Sequence, residues 1–248
     1  MGQARHAGRR GGPRFVTVPL LLLPGMMCDA RLFAPQIEAL GSGREVRVGD
    51  ITGADRVERI AAQVLDAAPQ RFALAGLSMG GIVAMEVARQ RPDRVAGLAL
   101  LDTNPLAESE EVRARRAPQI ERVRAGGLAE VMANEMKPFY LGPHPRRDEI
   151  LALCMDMALD LGPDVFIRQS LALRDRPDQT DTLRRIRTPA LVLCGRDDRL
   201  CPVSRHELMV DIIPDAQLTI IENAGHLPTL ETPDSVTAAL TEWLARIG

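Results

Sequence analysis

Apolar residues along this chain fall into two alternating patterns. Thr17–Leu23, Glu45–Asp50, Arg71–Gly76, Val95–Leu101, Pro189–Cys194 and Gln217–Ile221 are short runs, apolar throughout or at every second position. Runs of that length and spacing predict strands. Between them, Leu32–Leu40, Arg56–Ala67, Met79–Arg89, Arg205–Ile213 and Ser235–Ile247 repeat apolar residues at helical spacing. In Arg56–Ala67 the stripe is Val57, Ile60, Ala61, Val64 and Leu65, one face of a helix. Strands separated by helices imply an α/β chain with a mostly parallel sheet, right-handed crossovers and helices on both faces. Strands that are apolar throughout suit a sheet covered on both sides.

The alternation breaks once. No strand-like run occurs between Leu101 and Thr188, whereas Glu111–Arg124, Leu128–Met136, Asp148–Leu161 and Val165–Arg174 have helical spacing. We therefore expect a core built from residues 15–104 and 188–248, with residues 105–187 inserted as a helical cap, or lid. Residues 1–14 are rich in Arg and Gly and lack periodicity, and are expected to form a disordered extension. Arg9-Arg10 ahead of an apolar run has the look of a twin-arginine export signal. That run is needed as a core strand, however, and no small-residue cleavage site follows it.

Composition narrows the class. A chain of 248 residues with net charge −2 fits a single large domain and is not a generally basic nucleic-acid binder. Aromatics, at 3%, are too few for a base-stacking groove. The apolar stretch Val18–Leu23 contains Pro19 and is far short of a membrane span. Cys28, Cys154, Cys194 and Cys201 form no C-x-x-C pair and have no histidine at metal-ligand spacing. They read as reduced thiols of a cytoplasmic protein without a metal.

Candidate chemistry centres on Ser78. Gly76-Leu77-Ser78-Met79-Gly80 matches G-x-S-x-G and lies where a predicted strand meets a predicted helix. A nucleophilic serine there needs a strained turn to hold its hydroxyl clear of the sheet, and flanking glycines where the backbone passes too closely for a Cβ. Serine also needs a base, and the base an orienting acid. Of the four histidines, His6 lies in the N-terminal extension, His144 among prolines, and His206 at a helix start, where it reads as a solvated surface residue. Only His226, in Asn223-Ala224-Gly225-His226-Leu227, follows a strand end, where open parallel sheets place their sites. Asp197 and Asp198 after the fifth strand, and Asp102 after the fourth, are all candidates for the acid. Asp102 also reads as a loop cap with Thr103 and Asn104.

These segments resemble the α/β-hydrolases, in particular bacterial carboxylesterases and enol-lactonases. The resemblance is carried by LLLLPGMMCDARLF (20–33), GLSMGG (76–81), RTPALVLCGRDDRLCP (187–202) and NAGHLPTLETP (223–233), in the order Ser, Asp, His. It implies that Asp198, last of a Gly-x-x-Asp tetrad, is the acid, leaving Asp197 as a loop-capping carboxylate. It also implies an oxyanion hole from the Met79 and Met26 amides, and a helical cap. The family's leading two-stranded hairpin has no room here, so about six strands are expected. The implied activity is hydrolysis of a carboxylic ester, thioester or lactone through an acyl-enzyme, without a cofactor. A cofactor-free perhydrolase or haloperoxidase, a lyase, or a slow small-molecule receptor on the same fold are the alternatives. The expected partner is a small-molecule substrate, with no nucleic acid or membrane, and the expected state a monomer or homodimer. Met132, Met136, Phe139, Tyr140, Met155, Met157 and Phe166 are expected to line an adaptable apolar pocket with Met26, Met27 and Leu227. Arg174, Arg176 and Asp178 cluster at the exit of the insertion and read as a structural ion pair rather than as a clamp for a substrate carboxylate.

Overall fold

The computed structural model describes residues 17–247; the expectation for residues 1–14 lies outside the described residues. Six strands form one sheet: β1 (Leu20–Leu23), β2 (Val46–Val48), β3 (Phe72–Leu77), β4 (Val95–Leu101), β5 (Ala190–Gly195) and β6 (Ala216–Ile221). Their spatial order is β2-β1-β3-β4-β5-β6, and every pairing is parallel. The expected six-stranded α/β-hydrolase architecture is therefore present, with a sheet that is wholly rather than mostly parallel. All residues of β1, β3, β4 and β5 are buried. This follows from their continuous apolar sequence and requires helices on both faces.

The helices of the core are α1 (Ala34–Gly41), α2 (Val57–Ala67), α3 (Met79–Gln90), α8 (Val203–Ile212), α9 (Pro228–Glu231) and α10 (Pro233–Ala245). The predicted stripe of α2 is its buried face. Arg94 ties the end of that helix to the sheet, donating to the carbonyls of Leu65, Ala68, Pro69 and Gln70.

Between β4 and β5 the chain is helical: α4 (Glu110–Arg124), α5 (Leu128–Val131), α6 (Arg147–Arg174) and α7 (Thr180–Leu183). The two helices expected at 148–161 and 165–174 run on as α6, broken at Gly162–Pro163. After α5 the chain widens into a π turn, Met132–Met136. No helix among the described residues is long and apolar enough to cross a membrane.

Strand order decides what meets what. The chain places β2 on one side of β1 and β3 on the other. That reversal opens a crevice beyond the carboxyl ends of β1 and β3, with Leu23 paired to Gly76 beside it. On the other side of β3, strands β4, β5 and β6 are consecutive neighbours. The loops that carry Asp102, Asp198 and His226 are therefore adjacent in space.

Candidate active site

Ser78 occupies the turn between β3 and α3 with φ +55° and ψ −115°. That conformation is costly for a residue with a side chain and persists only where its surroundings enforce it. Here the Ser78 amide donates to Leu101 O at 2.9 Å, and Thr103 Oγ1 donates to Ser78 O at 2.7 Å. The flanking glycines of the motif are sterically required. A Cβ at Gly76 would lie 2.2 Å from Gly80 O, and one at Gly80 2.0 Å from Leu23 O.

The Ser78 hydroxyl lies 2.9 Å from His226 Nε2, and His226 Nδ1 lies 2.8 Å from Asp198 Oδ2. Asp198 and His226 are buried, and Asp198 Oδ1 also accepts the amides of Leu200 (2.8 Å) and Cys201 (3.0 Å). Burial alone would raise the Asp198 carboxyl. The charge and hydrogen bond of His226, with the two amides, outweigh it and hold the pKa below the ordinary value. Ionised Asp198 can only accept, so Nδ1 carries a proton; in the neutral imidazole that leaves Nε2 to accept from Ser78.

The other acid candidates stand differently. Asp197 is exposed and makes no side-chain hydrogen bond among the described residues, so it is not the capping carboxylate expected there. Asp198 itself caps that loop. Asp102 is buried at φ +44°; its Oδ1 accepts the Gly195 amide at 2.8 Å, and its Oδ2 has no partner. Burial, and then the neighbouring charge of Asp198, push Asp102 well above the carboxylate range. That direction favours its protonated form. The expected loop cap is supplied by Asn104, whose Oδ1 accepts the Leu106 amide.

Two histidine readings change. His206 is fully buried rather than solvated, because α8 turns it beneath the β4 loop, where its Nε2 accepts the Thr103 amide at 3.1 Å. Burial brings its pKa down to about 4. His144 lies 2.8 Å from the carbonyl of Glu231, tying the helical insertion to the His226 loop.

A cavity of about 400 Å³ opens over Ser78. Of the expected lining residues, Met26, Met136, Tyr140 and Leu227 reach it, together with Met79. Met27, Met132, Phe139, Met155, Met157 and Phe166 do not. Met27 sits at φ +56° with its side chain in the core. Met132 and Phe166 are buried core residues, and Phe139 is 39% exposed beneath the Arg199 guanidinium. Helical spacing says which residues are buried, not which buried face meets a cavity. Among the described residues the amides of Met26 and Met79 donate to no protein acceptor.

Two buried side chains that the sequence reading passed over hold this frame. Gln169, in α6, accepts the Met27 amide at 2.8 Å and so fixes the loop after β1. Glu231 accepts the amides of Gly142, Gly225 and Leu227, gripping both sides of His226. A signal for Glu231 was present, since a lone acid five residues after the histidine lies on the quoted NAGHLPTLETP segment. None existed for Gln169, which meets Met27 from 142 positions away.

One group of potential metal donors occurs among the described residues: Asp198, Cys201 and His226, with ligand atoms within 4.8 Å of one another. Asp198 and His226 spend those atoms on each other, and burial pushes the Cys201 thiol well up, away from the thiolate a metal needs. All four cysteines are free and buried.

Residues 10–240 match the model of the alpha/beta hydrolase family. The chain belongs to this family. A thermophilic esterase from Thermogutta terrifontis, solved with malate bound, superposes with a TM-score of 0.86 at 33% identity, covering 94% of this chain and 91% of that one. A pimeloyl-[acyl-carrier protein] methyl ester esterase from Xanthomonas axonopodis is 27% identical, with 92% of this chain and 95% of the relative covered. The enol-lactonase from Burkholderia xenovorans, at 24% identity and TM-score 0.83 over 94% of each chain, shares the fold. With relatives at 33% and 27% identity named as esterases, the chain is an enzyme, which narrows the question to its chemistry.

Proposed function

We propose that this alpha/beta hydrolase cleaves a carboxylic ester, thioester or lactone through an acyl-enzyme on Ser78. The observation that carries the reading is the unbroken chain from Ser78 Oγ through His226 to Asp198, set at the wall of a cavity. His226 Nε2 takes the Ser78 proton as the hydroxyl attacks the carbonyl, and Asp198 keeps the imidazole in the required tautomer and stabilises its charge. The free amides of Met26 and Met79 receive the oxyanion, Met79 at the positive end of α3. Collapse of the tetrahedral intermediate expels the alcohol or thiol, which takes the proton from His226. Water then attacks the acyl-enzyme with His226 again as base. The esterase names of the relatives at 33% and 27% identity favour the same bond class.

In this reading residues 15–104 and 188–248 form the catalytic core, and residues 105–187 are the cap through which substrate enters. Labelling by a fluorophosphonate probe, with Ser78→Ala as control, tests the nucleophile. A panel of p-nitrophenyl esters, lactones and acyl thioesters tests the bond. Labelling that persists in the Ser78→Ala variant would exclude the mechanism.

A further inference from the structure

The cavity over Ser78 has an apolar share, through Met26, Leu227 and others, but its charged residues do not balance. Arg116, Arg176 and Arg205 line it with a single carboxylate, Glu108. Glu108 is shared between two of them. Its Oε2 accepts Arg116 Nη2 at 2.8 Å and its Oε1 pairs with Arg176 Nη1 at 2.9 Å. These side chains are only 10%, 7% and 5% exposed for Arg116, Arg176 and Glu108. Asp178, the acid expected in this cluster, instead caps Thr180, and Arg174 pairs with Asp175.

Arg176 Nε also donates to the Leu106 carbonyl at 2.9 Å; the donors left over find weak partners or none. Arg116 Nη1 donates to Met26 Sδ at 3.7 Å, a poor acceptor for a cation. Arg205 is half-buried, and among the described residues its guanidinium has no hydrogen bond or ion pair. Three guanidinium groups face one carboxylate. A structural ion pair needs one acid for each base, because an uncompensated buried charge destabilises the fold. Arginine cannot escape by losing its proton. Burial lowers Arg176 below its ordinary value even with Glu108 beside it, as expected where compensation is incomplete.

We propose that Arg116, Arg176 and Arg205 form an anion subsite, and that the enzyme prefers esters carrying a carboxylate over neutral ones. The Met26 contact places the subsite against the residue whose amide receives the oxyanion, so the carboxylate sits within one small molecule's length of the scissile carbonyl. The proposal rests on Ser78 being an ester-hydrolysing nucleophile. The chemistry leaves two places for the carboxylate, on the acyl side or on the alcohol side.

Paired substrates separate them. On the acyl side monomethyl glutarate is compared with methyl 5-oxohexanoate, in which a methyl ketone replaces the carboxylate. On the alcohol side acetoxyacetate is compared with acetoxyacetone. In one pair the anionic member should have at least a tenfold higher kcat/KM, expressed mainly in KM. Arg205→Gln, which breaks no ion pair, should lower that anionic-to-neutral ratio about tenfold; Arg176→Gln should do so too if it folds. Ratios near one in both pairs for the wild-type enzyme would overturn the subsite while leaving ester hydrolysis standing, and so would a ratio unmoved by Arg205→Gln. Absence of all ester turnover and of fluorophosphonate labelling would instead remove the Ser78 reading. Calorimetric titration with glutarate would then decide the subsite alone: binding weakened about tenfold by Arg205→Gln supports it, and no binding to the wild-type protein overturns it.

Discussion

Replacing Glu231 by Gln tests whether one buried carboxylate holds the loop that carries His226. Glu231 Oε1 accepts the amides of Gly142 at 3.2 Å and Gly225 at 3.0 Å, and Oε2 those of Gly225 at 2.9 Å and Leu227 at 3.1 Å. The residue is 4% exposed, so water cannot substitute. Glutamine keeps the shape but offers one acceptor oxygen. Its NH₂ must face either the Gly142 or the Leu227 amide, donor against donor. A hydrogen bond to a charged group contributes about 1.5–3 kcal/mol, and a buried amide left without an acceptor costs about 1–3 kcal/mol. Burial raises the Glu231 carboxyl, so relief of its desolvation offsets part of the loss. The net expectation is a destabilisation of about 2–3 kcal/mol, or roughly 5–10 °C in Tm for a chain of this size. Because His226 sits between two of the clamped amides, kcat for p-nitrophenyl acetate should fall roughly 10–100-fold, as catalysis is sensitive to displacements near 1 Å. Urea and thermal unfolding measure the first effect and steady-state kinetics the second. A variant within about 0.5 kcal/mol of wild type, with kcat within about twofold, would refute the clamp.

Ser78→Ala should fold normally and lose about 10⁴-fold or more in esterase rate; retention of a tenth of the activity would exclude Ser78. Asp198→Asn should lose about 10⁴-fold. Asp102→Asn, at a side chain that does not touch His226, should lose far less, and a reversed order would move the acid to the β4 loop. Met136→Ala should shift kcat/KM towards longer acyl esters by roughly 1–3 kcal/mol, whereas Phe139→Ala, lying outside the cavity, should leave the chain-length profile unchanged. Stability should also fall in acid through His206. A histidine lowered from 6.5 to about 4 contributes stability that is complete above pH 6.5 and lost as pH falls through 4. Urea midpoints compared at pH 7 and pH 4.5 should therefore differ less in His206→Gln than in wild type, and an equal drop would remove His206 as the cause.

What could be read from the chain alone was whatever local pattern encodes. The six strands, apolar throughout or alternating, declare themselves, as do the amphipathic helices between them and the serine elbow, because each is set by residues near in sequence. Gly76 and Gly80 mark a close backbone approach that only a residue without a Cβ permits. What the sequence left open is what distant segments do to each other. Three carboxylates were candidates after β4 and β5, and packing separates them: Asp198 faces His226, Asp102 is buried and accepts the Gly195 amide instead, and Asp197 turns to solvent. His206 read as solvated because a lone histidine near a helix start gives no hint that a neighbouring strand's loop will close over it. The pocket was half legible for the same reason: a methionine on a helix has the same spacing whether it faces a cavity or the core. Strand order brings the loops after β1 and β3 together, and those after β4, β5 and β6. It also lets Gln169 grip Met27, and brings Arg176 to Glu108, contacts made across the fold that no local pattern contains.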